Sequence, residues 1–67
     1  MNYSRATYIG KAIQLYPGDT YSKFGIITNV DDLGWTIKII KSSDKTTWKV
    51  GQEYFISHSR ALTFEFI

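Results

Sequence analysis

A chain of 67 residues makes one domain, and at that length folding buries only about 60% of the surface the unfolded chain exposes, so stability is modest. A hydrophobic share of 43%, with two Trp, five Tyr and four Phe, excludes a disordered chain, and the absence of cysteine excludes disulfides and thiolate zinc sites. The net charge of +2 permits contact with nucleic acid but falls short of the clustered excess that marks a dedicated binder.

Residues 1–9 mix polar side chains with Tyr3, Tyr8 and Ile9 and read as an N-terminal arm lying over one end of the domain formed by residues 10–67. The N-terminus lacks the apolar core of a signal peptide, and no window reaches the roughly 18 apolar residues needed to cross a membrane. A soluble, cytoplasmic monomer is the expectation. Ile13 and Leu15 alternate with Ala12 and Gln14, the period of a half-buried first strand that Pro17-Gly18-Asp19 ends. A loop carrying Tyr21 follows, up to Lys23.

Residues 24–41 organise the rest: two runs of β-branched and aromatic residues separated by Asp31-Asp32-Leu33-Gly34, which is turn chemistry between antiparallel strands. In the second strand Ile26, Thr28 and Val30 share a face, and in the third Trp35, Ile37 and Ile39 do. The expected core faces are Ile26/Val30 and Trp35/Ile37/Ile39. Ser42-Ser43-Asp44-Lys45 is polar turn material, after which Thr46, Trp48 and Val50 alternate with Thr47 and Lys49 as a short fourth strand. Residues 53–57 resume extended structure after a turn or bulge at Gly51-Gln52. Residues 57–61 suit one turn of 3₁₀ helix, capped by the side chains of Ser57 and Ser59. Leu62, Phe64 and Phe66 then alternate against Thr63, Glu65 and Ile67 as a closing strand, and Trp35, Phe64 and Phe66 are the aromatics expected in the core.

About five short antiparallel strands, no sustained period of 3.6 and turn signals every 8–12 residues describe an all-β domain. In so few residues a small barrel is favoured, because closure removes the edges two tiny sheets would leave open. Gly18-Asp19 before a loop, Lys23-Phe24-Gly25-Ile26-Ile27 entering the second strand, residues 35–39 as the third, and a short turn ahead of residues 62–66 together resemble the Src-homology-3-like (SH3-like) small barrels of prokaryotic proteins, most of all KOW-type domains. The likeness covers most of the chain. The acidic loop, paired tryptophans and proline-groove tyrosines of the eukaryotic peptide-binding pattern are not reproduced. A chain made of one such barrel is similar to small accessory proteins of bacteria and their phages, and the KOW likeness implies nucleic-acid binding in the transcription or translation apparatus.

Catalysis finds no support in the residues. Ser57-His58-Ser59 offers a nucleophile beside a base, but neighbours at a strand end lack the third, orienting group and the oxyanion site that acyl transfer needs. Asp31-Asp32 are turn residues; the six acids are spread over the turns, with no calcium loop, phosphate-binding loop or zinc spacing, and so no metal or cofactor is expected. The aromatics exceed what one small core can hide. Tyr21 and Phe24, in or beside the long first loop, with Trp48, form a candidate stacking face flanked by Lys23, Lys45, Lys49 and Arg60. Such a mixture builds protein hot spots and also holds single-stranded nucleic acid. With a net charge of only +2, a non-enzymatic module docking on a larger protein, as an accessory or inhibitory factor, ranks first and nucleic-acid binding second.

Overall fold

A computed structural model of the chain describes residues 8–44 and 46–67; most of the arm assigned to residues 1–9, including Tyr3, and the flanking Lys45 lie outside the described residues. Five antiparallel strands form: β1 (Ala12–Leu15), β2 (Lys23–Val30), β3 (Gly34–Ser42), β4 (Glu53–Ser57) and β5 (Glu65–Phe66), with a short helix α1 (His58–Ala61) between the last two. They make one sheet in the order β4-β3-β2-β1-β5, in which β1 pairs with both β2 and the returning β5. The expected small all-β domain of five strands with a helical turn before the last is the one found. Among the described residues no ladder joins β4 to β5. The rings of Trp35 on β3 and Phe66 on β5 lie 5.8 Å apart, and Tyr8 packs on both at 5.7 and 5.9 Å.

The hairpin β2–β3 is where expectation and structure differ most instructively. Its turn is as read: the Asp31 carboxylate accepts bonds from the Leu33 and Gly34 N–H groups at 2.8 and 3.0 Å. The inward face of β2, however, is Lys23, Gly25 and Ile27, all buried, whereas Ile26 is half-buried on the outside. A bulge on β2 explains the reversal, and a second bulge lies on β3. Ile27 pairs with Ile37 but Asn29 with Thr36, so Thr28 is an extra residue on β2 and Val30 returns to the core. Gly25 pairs with Ile39 but Phe24 with Lys41, making Ile40 the extra residue on β3. The inward choice of Ile37 and Ile39 holds, and with Ile13, Leu15, Ile27 and Ile56 they form the aliphatic centre. Gly25 belongs there because a Cβ would strike the Ile37 side chain and come within 2.9 Å of the Lys38 carbonyl oxygen.

Three further expectations are corrected. No strand forms over residues 46–50: the Asp44 carboxylate accepts from the Thr46 and Thr47 N–H groups and the Thr46 hydroxyl, and Trp48 N–H reaches the Asp44 carbonyl at 3.2 Å. A side-chain cap that satisfies several donors at once outweighs the strand preference of Thr-Thr-Trp. The turn after β4 is a helical turn of α type, Leu62 N–H bonding His58 O, tightened afterwards by two i→i+3 bonds at Thr63 and Phe64. The Ser57 side chain makes no capping bond; the Ser57 and Ser59 hydroxyls bond each other at 3.2 Å. Because the turn runs on through Thr63, Leu62 stays exposed and the closing strand shrinks to Glu65–Phe66, leaving Phe66 52% exposed instead of in the core.

Candidate functional site

One backbone position stands out. Tyr16, at the end of β1, has a φ of 46°, the left-handed region, which costs a residue with a Cβ roughly 1–2 kcal/mol. Its surroundings hold it there: the ring meets Phe64 edge-on at 4.8 Å, Trp48 at 6.1 Å and the Lys23 ammonium at 5.7 Å, while Asp19 N–H closes a turn onto its carbonyl at 2.9 Å. Trp48 in turn packs on Tyr54 at 4.9 Å, and the Tyr54 hydroxyl accepts from Lys49 N–H at 3.0 Å. This end of the molecule is thus an aromatic chain, Phe64-Tyr16-Trp48-Tyr54, clamping the two long loops, residues 16–22 and 43–52. A second pair of contacts ties the loops directly: Ser43 N–H to Ser22 O and Ser22 N–H to Ser43 Oγ, both at 2.9 Å.

Two depressions open beside the Tyr16–Trp48 contact. The larger, about 470 Å³, has Tyr16, Pro17 and Asp19 on one wall and Ser59, Arg60 and Thr63 on the other, while the smaller, about 250 Å³, is bounded by Ser42, Trp48, Lys49 and Val50. Of the six residues expected to form a binding face, four belong to this end: Tyr21, exposed in the first loop, Trp48, half-buried between the depressions, Lys49 and Arg60, both exposed. The other two do not. Phe24 points to the outer side of the sheet, in register with Gln14 and Lys41. Lys23 is completely buried beneath the loop, its Nζ bonding Asp19 Oδ2 at 2.5 Å and the Tyr21 carbonyl at 2.9 Å. A cation so placed spends two of its three N–H donors on the loop, and its burial keeps it from a ligand's phosphate.

Tyr16, Asp19 and Thr63 were not among the expected site residues. The signal for Tyr16 was the aromatic-proline pair at a strand end, and for Asp19 the i,i+4 spacing to Lys23; for Thr63, placed by the unforeseen extension of the helical turn, there was none.

The Lys23 ammonium and the Thr20 N–H, in that order, hold the Asp19 carboxyl below its ordinary value of 3.8. A carboxylate depressed on folding contributes its stabilisation above the unfolded value and loses it as pH falls through the folded one. The Tyr16–Ser22 loop is therefore expected to stay closed down to about pH 4 and loosen below it. A carboxyl resonance of Asp19 titrating above 3.8 would contradict the pairing. Hydrogen bonds from the Thr46 hydroxyl and then the Thr47 N–H lower Asp44 in the same sense.

Replacing Lys23 tests the anchor differently. Lys23→Met keeps the buried stem and removes the charge, so global stability should change by less than about 1.5 kcal/mol. Amide exchange at Thr20 to Ser22 should nonetheless speed up, because the tether to Asp19 and the Tyr21 carbonyl is gone. Unchanged exchange in that loop would show that the ion pair does not hold it.

Among the described residues no three His, Asp or Glu side chains converge as a metal site, and no helix is long and apolar enough to cross a membrane. The His58 ring turns to the β2–β3 turn, its Nε2 2.9 Å from the Asp31 carbonyl oxygen, and so meets neither neighbouring serine hydroxyl. The cleft at the loop end brings together one cation, Arg60, one carboxylate already engaged, Asp19, and the Tyr16 ring. The chain matches no protein-family model, and no curated protein and no solved structure matches it.

Proposed function

We propose that this chain is a non-enzymatic docking module that binds a protein partner through the loop end of its barrel, as an accessory or inhibitory factor acting on a larger assembly. The observation that carries this reading is the strained Tyr16, locked between Phe64, Trp48 and Lys23 at the meeting point of two depressions. Strain held in place by its neighbours is a mark of a surface shaped for use, and a rigid aromatic ridge beside an exposed Tyr21 and Arg60 has the composition of a protein hot spot. The strand order and the helical turn before β5 are compatible with the SH3-like, KOW-like resemblance, on which the proposal does not depend.

Nucleic-acid binding ranks second for an electrostatic reason. Lys23 is buried, Lys49 and Arg60 are exposed cations among the described residues of this end, and Asp19 shares the cleft with Arg60. A net charge of +2, with Lys23 buried, supports few phosphate contacts, too few for strong binding at physiological salt.

The test is differential capture from cell extract on immobilised wild type and on the Tyr21→Ala, Arg60→Ala double variant, both side chains being exposed and dispensable for the core. A protein retained in stoichiometric amount by wild type and lost on the double variant supports docking at this end. Equal retention by both moves the docking face elsewhere. Quenching of tryptophan fluorescence by a single-stranded oligonucleotide, weakening steeply as salt rises, would favour the second reading.

A further inference from the structure

The sheet has two edges, and they are managed very differently. β5 is two residues long, too short to template another strand. β4 is five residues, Glu-Tyr-Phe-Ile-Ser, with no proline, no lysine and no bulge, and Phe55 at its centre is 52% exposed. The hydrogen bonds that flank its ladder fix which way its backbone points. Ile39 N–H reaches Gln52 O at 3.0 Å and His58 N–H reaches Leu33 O at 3.1 Å, so even-numbered residues of this strand bond β3. The N–H and C=O groups of Glu53, Phe55 and Ser57 therefore face away from the sheet, and among the described residues nothing pairs with them.

We infer that this edge binds a second copy of the chain, β4 against β4 in antiparallel register about a two-fold axis at Phe55. The parity selects that arrangement. Pairing Phe55 with Phe55 of the second copy, and Glu53 with its Ser57, joins only residues whose backbone groups already point outward, so every outward donor meets an outward acceptor. Charge is consistent with it: Glu53 of one β4 comes opposite the uncharged Ser57 of the other, and no like charges face each other. On the outer face the two Phe55 rings cover one another. Such a dimer departs from the expectation of a monomer.

The chain has no cysteine, which makes one introduced thiol an unambiguous reporter. In the predicted register the two Phe55 Cα atoms lie about 5.5 Å apart, within disulfide reach. Phe55→Cys should therefore oxidise quickly to a covalent dimer, and Val50→Cys, exposed but off the strand, slowly. Wild type in sedimentation should move from 7.7 kDa toward twice that mass as concentration rises. Phe55→Lys, which sets two ammonium groups face to face, should stay monomeric with an unchanged circular dichroism spectrum. Wild type remaining at 7.7 kDa to millimolar concentration overturns the inference, as does a Phe55→Lys chain that still dimerises or equal cross-linking rates for the two thiol variants.

Discussion

Ile37→Ala is expected to leave the domain largely unfolded. Ile37 is completely buried at the centre of the sheet, in register with Ile27 on one side and Tyr54 on the other. Removing its outer carbons forfeits their transfer free energy and leaves a cavity, together about 2–5 kcal/mol. A single core in a domain this small rarely supplies more than about 3–5 kcal/mol in all. The neighbours cannot collapse into the gap easily, because Gly25 lies opposite and carries no side chain to move. Urea unfolding followed by tryptophan fluorescence measures the effect. A midpoint shift equivalent to less than about 1 kcal/mol would mean that Ile37 does not sit at the heart of the core.

Gly34→Ala should be comparably severe for a different reason. Gly34 starts β3 opposite Ser57, and a Cβ there would run into the Ile56 carbonyl oxygen, with Ser57 Cα at 2.8 Å and Ile56 C at 2.9 Å. These are backbone atoms of the adjacent strand, so relief requires β3 and β4 to separate locally. That disrupts the Gly34–Ser57 end of the ladder and the bond from His58 N–H to Leu33 O on which α1 rests. A cost of about 3 kcal/mol is expected, at the upper end for overpacking. The alanine's lower unfolded-state entropy recovers well under half of that. Calorimetry is the measurement; a melting temperature equal to wild type would show that the strands at this point are not in close contact.

The two variants also mark what could be read from the residues. Turn chemistry and alternation located β1, the hairpin and β4, because each depends on neighbours in sequence: Asp31 bonds Leu33 and Gly34, and Ile13 and Leu15 alternate through a bulge-free strand. The inward face of β2 was misread because a period of two survives only until a bulge, and the extra residues at Thr28 and Ile40 are set by how two strands twist together. Thr46 to Val50 has strand composition and is not a strand, since one carboxylate, Asp44, captures the local donors first. Tertiary context likewise decided Lys23. Lysine is rarely buried whole, and only the fold brings Asp19, the Tyr21 carbonyl and the Tyr16 ring around its ammonium. The candidate site was therefore half legible: its exposed members, Tyr21, Lys49 and Arg60, are surface residues of loops and turns, while the strained Tyr16 that organises them shows only in three dimensions.

Photo-cross-linking from single positions tests the central claim, that the loop end is the docking surface, most directly. A photoreactive phenylalanine analogue would replace Tyr21 in one chain, Phe24 in a second and Leu33 in a third, each introduced into the full-length protein in cells. Tyr21 lies in the first loop at the proposed surface, Phe24 on the outer sheet face and Leu33, 74% exposed, in the β2–β3 turn. The account predicts one discrete protein adduct from position 21, lost when Arg60→Ala is added, and none of comparable yield from positions 24 and 33. An adduct confined to position 24 or 33, or cross-links from position 21 to nucleic acid and to no protein, would contradict it.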